Sequence, residues 1–111
     1  MLEKEINWVQ KIINCFYQGY FSNAQGEIET LKNFIPHLFN EYIEKYRSDK
    51  AKIAEIRKQL KRINSALAKA RHYALRAGRD NNPETINHLK AEGMKYCKET
   101  MEMLQELDSH F

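Results

Sequence analysis

Apolar residues recur three and four apart along most of the chain, the spacing that lines one face of an α-helix. Ile6, Val9, Ile13 and Phe16 or Tyr17 repeat in this way, with Trp8 and Ile12 widening the stripe. The pattern predicts a first helix over about residues 3 to 18, closed by Gly19. Ser22 followed by Gln25 matches a capping box, in which two side chains satisfy backbone donors at a helix start. A second helix is expected over about 23 to 47, carried by Ile28, Leu31, Ile35, Leu38 and Tyr42. Pro36 lies inside that run. It lacks an N–H and its ring crowds the preceding turn, so a bend or short break is expected near residues 33 to 36.

Ser48 and Asp49 are candidate caps for a third helix. From there Ile53, Ile56, Leu60, Ile63, Leu67, Ala70, Ala74 and Ala77 alternate steps of three and four, a narrow coiled-coil-like seam. Large residues give way to alanine near its end, where a neighbouring helix can approach closely. Gly78 is the expected stop, and Asn82 followed by Pro83 the restart. Helix four, over about 83 to 108, has two adjacent apolar stripes. One holds Leu89, Gly93, Tyr96, Thr100, Met103 and Leu107; the other holds Met94, Cys97, Met101, Leu104 and Phe111. An arc that wide must touch more than one neighbour, within the bundle or in a second copy of the chain. A homodimer through helix four or the helix-three seam is therefore one of the alternatives. The short link between helices three and four forces an antiparallel hairpin. The expected fold is all-α: one domain over residues 1–111, an antiparallel bundle of four main helices, with helix two bent near Pro36.

Trp8, Gly19, Phe21, Ala24, Ile28 and Pro36 fall at spacings that resemble a single tetratricopeptide repeat over about residues 5 to 38. Lys11 and Ile12 stand where that pattern wants Leu-Gly, Cys15 stands where it wants Tyr, and nothing after residue 38 repeats it. What the resemblance implies is an antiparallel pair formed by the first two helices.

Composition agrees with helix throughout: 111 residues with only four Gly and two Pro, and abundant side chains that lose little rotamer freedom on a helix. Cys15 and Cys97 have no close-spaced partner, so neither a disulfide framework nor a zinc site is indicated, and a reducing cytoplasm is the expected setting. The acidic start MLEKEINWVQ does not read as a secretory signal, and no apolar run reaches the length of a membrane span. His37, His72, His88 and His110 lack metal-site spacing; only His72 and His88 come roughly level on the hairpin. No nucleophile elbow or phosphate-cradling glycine loop is present. No catalytic residue, metal or cofactor is assigned, and an enzyme is not expected.

Charge changes the picture. The net charge is only +3, but residues 50 to 79 hold ten of the 18 basic groups and a single carboxylate, Glu55, while the segments on both sides are net acidic. With Ile53 as heptad position a, Arg57 falls at e, Lys58 at f, Lys61 at b and Arg62 at c. Lys69, Arg71, Arg76 and Arg79 fall at c, e, c and f. The result is a positive ribbon beside the seam. Solvated helices usually mix signs on their exposed face, so these eight residues are the candidate contacts for a nucleic acid or an acidic protein surface. The expected function is that of a small non-enzymatic regulatory binding protein that contacts nucleic acid, or a nucleic-acid-associated complex, through the ribbon of residues 50–79. The alternative is a protein-binding adaptor or inhibitor, for which Trp8, Tyr20 and Phe21 are the candidate hot spots.

Overall fold

The computed structural model describes residues 2–111. Four helices follow one another: α1 (Glu3–Gln18), α2 (Phe21–Lys45), α3 (Lys50–Arg79) and α4 (Pro83–His110). The connections are two, four and three residues long, so each helix must turn straight back along its predecessor. α1 packs on α2 and α4, and α3 packs on the same two from the other side. The resulting antiparallel bundle measures 53 × 20 × 20 Å.

The buried positions are the ones the periodicity marks. Val9, Ile12 and Phe16 of α1, Ile28, Leu31 and Tyr42 of α2, and Ile56, Ile63 and Leu67 of α3 are all sealed from solvent, as are Cys97 and Leu104 of α4. Of the α3 seam only Ile53 is half-exposed. The two apolar stripes of α4 are both used inside the chain: Leu89, Gly93, Thr100 and Leu107 of one and Cys97 and Leu104 of the other are buried.

Close approach has a specific cause at Gly93. A Cβ there would lie 2.3 Å from Cε1 of the buried Phe16 ring, so only glycine lets α1 sit this deep against α4.

Helix ends show where local chemistry decides. Asp49 accepts from the Lys52 N–H at 3.1 Å, and Asn82 accepts from the Glu84 and Thr85 N–H groups at 2.9 and 3.2 Å, with Pro83 in the first turn. Gly19, at φ 80°, closes α1 in a Schellman motif: the Gly19 N–H donates to the Phe16 carbonyl and the Tyr20 N–H to the Cys15 carbonyl.

Two expectations need correction. The Ser22–Gln25 capping box does not form, because the Schellman closure hands Tyr20 directly into α2 and leaves Ser22 already inside the helix. Gly78 is not a stop; α3 continues to Arg79, and Gly78 lies beside Phe21, where an added Cβ would sit in ordinary contact with the Phe21 Cβ at 3.6 Å. At Pro36, where a bend or a short break is expected, α2 runs on without a break. Pro36 lies on the exposed face, where water can solvate the carbonyl that loses its donor, while buried Ile35 and Leu38 hold the helix on both sides.

Candidate nucleic-acid interface

Because α1 and α3 share their two neighbours and lie on opposite sides of them, none of the described residues covers the outward face of α3. Nine of its ten basic residues are exposed, and Arg71 is half-buried. Between the cations the same face carries Ala51, Ala54, Ser65 and Ala68, all exposed. These side chains are short, so a partner's backbone can come near the helix while the longer cations reach round it. From Arg57 to Arg79 the ribbon spans roughly 33 Å at about 1.5 Å per residue.

The bundle sorts the eight candidate residues. Arg71 pairs with Glu29 of α2 at 3.7 Å, and its Nε is buried without a hydrogen-bond partner. It is a tie between α2 and α3 rather than a free cation. Arg57 lies over the Phe39 ring at 5.3 Å and Lys69 over the Tyr96 ring at 5.3 Å, so packing holds both at the edges of the face. Lys58, Lys61, Arg62, Arg76 and Arg79 point to solvent.

Electrostatics decide between a docking face and a charge-neutral helix pair. α4 carries Glu92, Glu99, Glu102 and Glu106, the acidic set that would neutralise α3 if the two helices merely complemented each other. Among the described residues, however, the one ion pair made by α3 is Arg71–Glu29. The other nine cations have no carboxylate within ion-pair distance. Most of the positive charge on this face thus makes no ion pair within the bundle, although Glu55 shares the face and Glu106 lines the same groove as Lys58 and Arg62.

The aromatic candidates separate differently. Trp8 is part of the structure: its indole N–H donates to Glu27 Oε2 at 2.7 Å and its ring meets Phe34 at 6.2 Å. Phe21 packs edge-on against Phe16 at 6.1 Å. Only Tyr20 stands out, 56% exposed, and beside it in the sequence Tyr17 is 69% exposed. Periodicity read Tyr17 as an alternative core position; the turn at Gly19 instead leaves it outside. Tyr73 and Tyr96 were also missed as a pair, and they stack across α3 and α4 at 5.8 Å and 10°. A helical hairpin brings together residues whose sequence separation gives no signal of contact.

No other chemistry assembles. Among the described residues no group of three or more His, Cys, Asp or Glu is placed to hold a metal, and no helix is long and apolar enough to cross a membrane. His72 rests against Tyr73 at 5.6 Å and His88 is exposed. Burial pushes the Cys97 thiol up to about 12, which keeps it protonated and unreactive at neutral pH.

Fold and face together define a four-helix bundle with one uncovered helix whose charged side chains are ten cations and a single carboxylate, Glu55. Comparison with protein-family models, with curated proteins and with solved structures finds no match. The tetratricopeptide-like spacing thus has no support from a family match, and α1 and α2 stand simply as an antiparallel pair.

Proposed function

We propose that the protein is a non-enzymatic nucleic-acid-binding module that holds the phosphate backbone against the outward face of α3. The observation that carries this reading is the unpaired charge: nine exposed or edge-held cations on one helix with no carboxylate in ion-pair range, although four glutamates are available on the next helix. A nucleic acid supplies phosphates along a line, and each one neutralised releases a condensed counterion. A straight helix studded with Lys and Arg and lined by alanine suits that geometry. It reads no sequence by itself, since base discrimination needs side chains placed in a groove.

Fluorescence anisotropy of a labelled duplex, titrated with protein at several salt concentrations, tests the reading. Binding is expected to weaken steeply between about 50 and about 200 mM salt. Replacing Lys58, Lys61 and Arg62 together by Glu is expected to abolish binding near physiological salt while the melting temperature holds. Milder Ala replacements are expected to flatten the salt slope by about one per lost phosphate contact. Absence of binding even at low salt refutes the reading and directs attention to an acidic protein surface as the occupant of α3.

A further inference from the structure

We infer that the tip of the bundle formed by the α1–α2 turn is a stacking platform for unpaired bases, so that the protein prefers single-stranded nucleic acid to duplex. This inference rests on the reading of α3 as a phosphate-binding face and names the class of nucleic acid that face takes. The argument starts from exposure. Tyr17 and Tyr20 are the large apolar side chains left most open to solvent, 69% and 56% exposed. They flank Gly19, whose Schellman hydrogen bonds lock the turn and hold both residues in place.

Position and charge supply the rest. Phe21, the next residue, lies against Gly78 in the last turn of α3, so the tyrosines share an end of the bundle with Arg76 and Arg79, the exposed end of the ribbon. Lys90 of α4 places its ammonium 5.0 Å from the Tyr17 ring centre. Asp80, whose carboxylate accepts from the Asn82 N–H at 2.8 Å, and Glu84 in the first turn of α4 also lie at this end, where Arg76, Arg79 and Lys90 outnumber them. Cations beside exposed aromatic rings are what single strands require: charge follows the backbone while bases stack on the rings. A duplex keeps its bases stacked on one another and gains nothing from the tyrosines.

The test uses the full chain with two labelled probes, a 15-nucleotide oligo-dT and a random-sequence duplex of equal length. The wild type is expected to bind oligo-dT more tightly than duplex. Tyr17→Ala with Tyr20→Ala is expected to weaken oligo-dT binding roughly five- to hundred-fold and to leave duplex binding unchanged. Tyr→Phe at both positions, which keeps the rings, is expected to restore oligo-dT binding. Equal weakening on both probes, unchanged oligo-dT binding in the alanine variant, or failure of the phenylalanine variant overturns the platform. Charge reversal at Lys58, Lys61 and Arg62, read on duplex, isolates the parent reading: if it acts while the tyrosine changes do not, only the platform falls. If the wild type binds neither probe, both fall.

Discussion

Gly93→Ala tests the packing argument most directly. The new methyl would sit 2.3 Å from Cε1 and 2.6 Å from Cζ of Phe16, whose ring is fully buried with Phe21 against its edge. Overpacking a filled core costs about 1–3 kcal/mol. So short an approach to a confined ring takes the upper end of that range. Against it, alanine in a helix interior regains about 1 kcal/mol over glycine. The net loss is about 2 kcal/mol, equivalent to a fall in Tm on the order of 8 °C for a domain of this size. Gly26→Ala is the matched control. It lies in α2, exposed, with nothing within 4 Å of the added methyl, so the same chemical change is expected to raise Tm by up to about 4 °C. Phe16→Leu combined with Gly93→Ala relieves the clash, and the double variant is expected to lose less stability than the sum of the two singles. Thermal unfolding followed by circular dichroism measures all four. A Gly93→Ala protein that melts at or above the wild type refutes the reasoning.

Asn82→Ala removes the acceptor for two N–H groups at the start of α4 and is expected to cost about 1 kcal/mol, read as a lower urea midpoint with unchanged slope. Tyr42→Phe deletes a buried hydroxyl that has no hydrogen-bond partner; chemical denaturation is expected to show equal or greater stability, whereas a clear loss would reveal a bond the geometry does not contain. Stability is also expected to fall in alkali. Burial, with the charges of Asp108, Tyr46, Glu5 and Glu41 adding, pushes the Tyr42 hydroxyl from 10.0 up to about 12, and burial pushes the Cys97 thiol from 9.0 up to about 12. The folded chain thus keeps protons that the unfolded chain has released. The stabilisation is complete below about pH 9 and is lost as pH rises toward about 12, on the order of 1 kcal/mol per pH unit for each group. Urea titrations between about pH 8 and pH 11 check the slope, and Cys97→Ala is expected to remove its earlier part.

The sequence by itself determined everything that depends on neighbours a few residues apart. Helical spacing of apolar residues marked α1, the α3 seam and both stripes of α4, because a helix returns to the same face every three or four residues. Asp49, Gly19 and Asn82 with Pro83 were legible as ends because a cap is a contact within one turn. Local signals failed where tertiary packing outweighed them. Ser22 and Gln25 had the right spacing, but the backbone closure at Gly19 had already started α2. Gly78 lies inside α3 rather than at its end, and Gly93 is a close-approach position, which only the placement of Phe16 reveals. Charge followed the same division. Periodicity located the positive ribbon beside the seam, since heptad position is a property of one helix. Whether the cations were neutralised depended on distances between helices, and there the bundle paired Arg71 with Glu29, set Lys52, Arg57 and Lys69 against rings, and left the rest to solvent. The exposure of Tyr17 and Tyr20 belongs to that second group as well, because an aromatic residue beside a turn is inside or outside according to where the next helix goes.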